Sequence, residues 1–161
     1  MALMYRSFLL RKYEKKIKDI WKDCGLLHIR TDNVKHLLDH VGHLVSPQLR
    51  GEAILTIGAA LTEVLDPFCG VLSIGPFGCM PNRISEAVLS REMNREGKQA
   101  TGTVRKEMLS VLEKYEDLPF LCIESDGNIF PQIITARLEA FVIQARRFHQ
   151  ELSKAVKWKD S

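Results

Sequence analysis

Apolar residues recur with a helical period along most of the chain, and two short runs break that pattern. The periodic stretches predict six helices, at residues 5–24, 31–45, 51–65, 82–93, 104–115 and 131–154. Two apolar runs, Val71–Ile74 and Leu118–Ile123, predict short buried strands. The polar, glycine-containing stretch 94–102 predicts an exposed loop, the most mobile part of the chain.

Two predicted helices carry well-defined apolar stripes. The last helix has one that Val142 and Ile143 widen; it consists of Ile134, Leu138, Phe141, Ala145, Phe148 and Leu152. The first helix has an apolar stripe on the side opposite its lysines, which consists of Leu9, Leu10, Tyr13, Ile17, Ile20 and Trp21. We interpret the stripe of the first helix as core or as a helix–helix contact, with a partner-docking face as the alternative. In the third helix, the small residues Gly58, Ala59 and Ala60 predict close packing against a neighbour.

The order of elements predicts the fold class. A helical part, residues 1–66, precedes a strand–helix–helix–strand–helix part, residues 67–161, and we expect both to belong to a single domain, 1–161. The second part fits a right-handed crossover between parallel strands. The sequence therefore predicts a helix-rich α/β fold with a small parallel sheet, similar to a fragment of a Rossmann fold.

Composition narrows the class of protein. The chain has 161 residues, 45% of them hydrophobic and 27% charged, as in a soluble globular protein. Its net charge of +3 is too small and too dispersed to indicate nucleic-acid binding, and no apolar stretch approaches the roughly 20 residues that cross a bilayer. Four cysteines in a chain of this size do not indicate a disulfide framework, so we expect reduced thiols in the cytoplasm.

The chemistry is concentrated in the turn after the first predicted strand. Gly75, Pro76 and Gly78 enforce a tight turn, and Pro81 suits the first turn of the next helix. Cys79 therefore lies at the junction between the end of a strand and the start of a helix. Open α/β folds bind ligands at this position. A helix N-terminus also favours thiolate over thiol.

Five sequence segments carry a resemblance to a known family. They occur in the order Gly51-Glu-Ala-Ile-Leu-Thr, Cys69-Gly-Val, Gly75-Pro-Phe-Gly-Cys-Met-Pro81, Glu124-Ser-Asp-Gly-Asn128 and Ala136-Arg-Leu-Glu-Ala-Phe141. Over residues 50–148 the chain resembles the C-terminal part of large proteins related to the activators of 2-hydroxyacyl-CoA dehydratases. Those proteins are themselves similar to the dehydratase subunits, which hold iron–sulfur clusters on cysteines.

The resemblance implies a cofactor and a site. It implies that Cys79 is a ligand of a 4Fe–4S cluster in the full assembly, next to Gly78, Asp126 and Asn128. Because clusters usually need three or four cysteine thiolates, we expect the isolated chain to be metal-free. The missing ligands would come from upstream activator or dehydratase domains or subunits. The other cysteines, Cys24, Cys69 and Cys122, are interpreted as packing residues.

Other constellations of side chains leave alternatives open. His36, His40 and His43 share the polar face of the second helix, either as solvated side chains or as metal ligands. Arg137 either pairs with Glu124 or Asp126 or binds an anion. Cys79 with His28 or His149 as a base would be a nucleophile.

Taken with the resemblance, the sequence favours one function and leaves a second. The first is a component, or C-terminal part, of an iron–sulfur protein related to acyl-CoA dehydratases and their activators, serving ATP-driven electron transfer to a CoA-thioester dehydratase. The alternative is a non-catalytic assembly domain that packs against the cluster-bearing part. Because a two-stranded sheet leaves open edges, we also expect self-association, as a two-fold dimer.

Overall fold

The computed structural model describes residues 2–21, 34–49, 51–65, 68–125 and 131–155. The contacts divide the chain into two compact units, Met1–Asn33 and Val34–Ser161. This division falls well before the boundary at residue 66 that the pattern of elements suggests. No helix within the described ranges is long and apolar enough to cross a membrane.

The described residues of the first unit form one helix, α1 (Ala2–Trp21). It confirms the first predicted helix as far as residue 21, and residues 22–24 lie outside the described ranges. The apolar stripe is not core. Exposures of 55–68% are found for its members Leu10, Tyr13, Ile17, Ile20 and Trp21 and for the nearby Tyr5 and Phe8. A pairing of Glu14 with Lys18 lies on the polar face.

The second unit contains the sheet and the remaining helices. In chain order these are α2 (Val34–Val41), α3 (Ala53–Glu63), β1 (Val71–Pro76), α4 (Met80–Glu92), α5 (Arg95–Ala100), α6 (Lys106–Leu112), β2 (Phe120–Ser125) and α7 (Pro131–Ala155). The two strands are parallel and neighbouring, which confirms the helix-rich α/β fold.

The register of the sheet determines which backbone groups are paired. Val71 lies opposite Phe120 and Pro76 opposite Ser125. The Val71 N–H donates to the Pro119 carbonyl at 2.9 Å, so the odd-numbered residues of β1 direct their backbone groups to β2. The even-numbered residues direct theirs to the outer edge.

The two strands differ in burial, and the prediction of a buried first strand is wrong. Leu121, Cys122 and Ile123 of β2 are buried, as expected. In β1, however, Leu72 is 40% exposed and Ile74 is 66% exposed. Helix α7 contacts β2, and the described residues include no element of comparable contact on the same face of β1.

The core contains buried residues of α2, α3, α4, α6 and α7. The predicted stripe of α7 is confirmed as its inward side, with Phe148 and Leu152 fully buried. Its widening by Val142 and Ile143 is wrong, because these residues are 39% and 52% exposed. Tyr115 packs edge-on against Phe148, with ring centroids 4.9 Å apart. Close packing at Gly58 is also confirmed, because a Cβ there would lie 3.0 Å from the Cβ of Leu37 on α2.

The prediction of an exposed loop at 94–102 is wrong. Asn94 caps α5, its side chain accepting a hydrogen bond from the Gly97 N–H at 2.8 Å. Lys98, only 1% exposed, donates to the carbonyls of Leu61 and Thr62 at 2.8 and 2.9 Å. The polar composition did not reveal this short helix, in which Gly97 and Lys98 are buried. The lysine can be buried because it donates to carbonyls at the end of α3, which have no partner within that helix.

Helix α4 also differs in detail from the prediction. It begins at Met80 rather than at residue 82. Its buried side is centred on Ser85 and Leu89, whereas the predicted inward residue Ala87 is exposed. Ser85 is tolerated there because its hydroxyl donates to the Pro81 carbonyl at 2.9 Å.

Candidate functional site

A groove of about 590 Å³ runs along β1 and reaches the Cys79 turn. One wall is the side of α3 that carries Glu52, Thr56, Ala59 and Glu63. Every residue of β1 contributes to the opposite wall. Cys79, Pro81 and Asn82 line the end of the groove at the carboxyl end of the strand. The predicted position for ligand binding is therefore a real concavity.

The Cys79 turn is held by backbone hydrogen bonds and one left-handed glycine. Gly78 has a φ of +76°, which favours glycine and explains its place before Cys79. The Cys79 N–H donates to the Pro76 carbonyl at 3.1 Å. The Phe77 N–H donates to the Ser125 carbonyl at 3.0 Å, which fastens the turn to the end of β2. These backbone hydrogen bonds therefore fix the position of Cys79 at the end of the groove.

Cys79 is the N-cap residue of α4, as the strand-to-helix argument predicts. Its carbonyl accepts from the Arg83 N–H at 2.9 Å, while its side chain makes no capping hydrogen bond. The residue is half-buried, and Pro81 occupies the second helical position. The positive end of the helix dipole lies at this point, a position that favours negative charge.

A polar cluster between the sheet and α4 was not found from the sequence. Ser73 donates to Asn82 Oδ1 at 3.1 Å, and Asn82 Nδ2 lies 3.7 Å from the sulfur of Cys122. Burial, followed by the nearby charge of Glu86, raises the pKa of the Cys122 thiol. Only the pairing of Ser73 opposite Cys122 brings these residues together, and spacing along the chain does not reveal it.

Charged residues at the end of the sheet pair differently from the prediction. Arg83 Nε lies 2.7 Å from Glu124 Oε1. That buried oxygen has no hydrogen-bond partner among the described residues, so the contact is an ion pair without hydrogen-bond alignment. Arg137 instead donates to the Cys122 carbonyl at 2.8 Å. Of the alternatives for Arg137, a pair with Glu124 is not found, because Glu124 pairs with Arg83 and Arg137 donates to the backbone. Asp126 lies outside the described residues, so a pair with it stays a prediction.

The predicted site residues are only partly brought together. Gly78 and Cys79 lie in the turn at the groove, while Asp126 and Asn128 fall outside the described residues. Cys122 is buried and Cys69 is half-buried against the core, which agrees with packing roles. Cys24 and His28 also lie outside the described residues. His149 is an exposed residue of α7 that does not line the groove.

The described residues do not form a complete metal site. Within them, no group of three or more His, Cys, Asp or Glu side chains is placed to hold a metal ion. The side chain of His36 is not described, so the proposed triad with His40 and His43 is not tested. A 4Fe–4S cluster usually takes three or four thiolates, and this part of the chain offers Cys79 alone at the groove.

Comparisons with family models, with curated proteins and with solved structures found no match for this chain.

Proposed function

We propose that the chain is a component of an iron–sulfur protein related to 2-hydroxyacyl-CoA dehydratases and their activators. In this proposal it supplies Cys79 as one ligand of a 4Fe–4S cluster shared with other domains or subunits. That assembly serves ATP-driven electron transfer to a CoA-thioester dehydratase. The chain's own part is to hold one thiolate in a fixed position and to cover one side of the cluster.

The position of Cys79 is the observation that carries the proposal. Its thiol lies at a helix N-terminus and at the mouth of a groove, on a turn fixed by backbone hydrogen bonds. A ligand that the backbone holds in place needs little reorganisation on binding, and a helix N-terminus favours negative charge beside it. The sequence around Cys79 is also where the resemblance to the dehydratase-related proteins is most specific.

Iron analysis of the assembled complex tests this function. The chain is expressed anaerobically together with the proteins encoded beside it, as wild type, Cys79→Ser and Cys69→Ser. Cys69 is the matched control because it is a half-buried cysteine in the same unit that packs against the core. We expect wild type and Cys69→Ser to retain iron and Cys79→Ser to lose a cluster. Equal iron content in all three complexes would contradict the proposal.

A non-catalytic assembly domain is the second candidate, and the exposed stripe of α1 favours it. A helix with several apolar residues more than half exposed is suited to packing against another polypeptide. In the absence of that partner, the same stripe promotes self-association.

Sedimentation equilibrium at micromolar concentration tests the assembly function. We expect association of the wild-type chain and a shift toward monomer in Ile17→Glu, with Lys16→Glu on the polar face as control. A wild-type chain that stays at 18.4 kDa would contradict this second candidate.

A further inference from the structure

Among the described residues, no strand pairs with the outer edge of β1, and a groove lies beside this edge. Beyond the proposed function, and independently of Cys79, we propose that this edge accepts an extended segment of a partner polypeptide as a third strand. The segment would be apolar at alternate positions and would carry lysine or arginine at its ends. Such strand addition is a common mode of peptide recognition, in which backbone hydrogen bonds provide the affinity.

Hydrogen bonding in the sheet leaves donors and acceptors available on this edge. The register places the backbone groups of Leu72 and Ile74 on the side away from β2. Within the described ranges, no backbone hydrogen bond outside the regular elements involves either residue. Neither β1 nor its register partner carries a lysine in its middle, one of the devices that discourage strand addition. Pro76, at the end of β1, has no N–H to donate, so the outer donors of the strand are those of Leu72 and Ile74.

The shape of the groove is that of a site for an extended chain. Successive side chains of a strand point to opposite faces, so a concavity lined by all six residues of β1 must follow its edge. The wall opposite the strand is α3, where Thr56, Ala59 and Ala60 leave room for side chains of an added strand. On the other face of the sheet, the exposed Leu72 and Ile74 provide apolar neighbours.

The opposite edge of the sheet is blocked, which distinguishes the two edges. The carbonyl of Cys122 points to the outer edge of β2, and Arg137 Nη2 donates to it at 2.8 Å. A side chain that occupies an edge carbonyl prevents the regular pairing of a further strand. Strand addition is therefore specific to β1.

Charge determines the chemistry of the expected segment. Sixteen residues line the groove; Glu52 and Glu63 are acidic, and none is lysine, arginine or histidine. Because the two glutamates lie at opposite ends of the helical wall, positive residues at both ends of an added strand are complementary to it.

A second copy of the chain fits this edge poorly. Its own β1 would have to enter the groove while still carrying α4, which packs against β1 and against α3. Because α3 of the first copy already lines the groove, α4 of the second copy would compete with it for the same space. An extended segment without its own helix avoids this conflict.

Amide hydrogen exchange on the full chain tests the proposal. The probe is the synthetic peptide Lys-Val-Thr-Val-Thr-Val-Lys, and the control peptide is the same sequence N-methylated at each Val and Thr. In the free chain we expect the Leu72 and Ile74 amides to exchange fast and those of Ser73 and Gly75 to be protected. The first peptide should slow exchange at Leu72 and Ile74 by about tenfold or more, and the methylated peptide should not.

Two protein variants make the test specific. Ile74→Pro removes one outer donor without touching the pairing with β2, whereas Ile74→Ala keeps that donor. We expect Ile74→Pro to abolish the peptide-induced protection and Ile74→Ala to retain it. In both variants the Ser73 and Gly75 amides should stay protected, because the pairing with β2 is intact. Unchanged exchange at about 1 mM peptide would overturn the proposal. So would protection that rises with protein concentration alone, since it would identify a second copy as the occupant.

Discussion

A Cβ atom on Gly75 would lie 2.5 Å from Cγ of Asn82, so the strand and the following helix are in contact at a position where only hydrogen fits. Gly75 is fully within β1, and Asn82 belongs to the first turn of α4. The close approach lets Asn82 reach Ser73 and the sulfur of Cys122. It therefore fixes the angle at which the Cys79 turn leaves the sheet.

Gly75→Ala should destabilise the fold because the added methyl group must displace Asn82. We expect a loss of about 1–3 kcal/mol in the free energy of unfolding, measured by urea denaturation. Asn82→Ala in the same chain removes the nearest atoms, so the double variant should recover part of that loss. An unchanged unfolding midpoint for Gly75→Ala would show that the contact is absent.

Local pattern predicted most of the helices, including the full inward stripe of α7, because burial on one side imposes a helical period on the sequence. It also located Cys79 at the strand-to-helix turn. It failed where a distant residue determines the environment. Leu72 and Ile74 are as apolar as buried strand residues, and only the absence of covering elements among the described residues shows that they are exposed. Asn82 belongs to the site because it contacts both Ser73 and Cys122, which lie opposite each other in the sheet. The spacing of these residues along the chain does not predict that pairing.

Lys98→Met should be costly although the substitution occurs in a short, polar segment. The ammonium group donates to two backbone carbonyls and to Thr103 Oγ1 at 3.0 Å, and methionine removes all three of these hydrogen bonds. We expect a loss of about 2–4 kcal/mol, measured by urea denaturation. Lys106→Met, at an exposed position of α6, is the control and should change stability little. Equal effects of the two substitutions would contradict the buried position of Lys98.

Stability should depend on pH through Glu151. Hydrogen bonds from Lys114 and Lys154 lower the pKa of this carboxyl from 4.5 to about 2. Because the folded-state pKa lies below the unfolded value, the stabilisation is present above pH 4.5 and is lost as the pH falls toward 2. Glu151→Gln should therefore flatten the stability profile in this interval, and Glu139→Gln should not. Since Lys114 is 61% exposed, added salt should reduce the difference.

The isolated chain should bind no stoichiometric iron, because the described residues offer one cysteine at the groove where a cluster usually needs three or four. Anaerobic reconstitution followed by iron and sulfide analysis checks this. A content of about four irons per chain would contradict a shared cluster and would require ligands from Cys24, Cys69 or Cys122.

The central claim is that the turn after β1 presents Cys79 as an accessible thiol, whereas Cys122 is a packing residue. Timed alkylation with iodoacetamide at neutral pH, followed by peptide mass spectrometry, tests it most directly. Cys79 should be labelled first, because it is half-buried at a helix N-terminus, and Cys122 last, because burial raises its pKa and blocks access. Labelling of Cys122 before Cys79 would contradict the account.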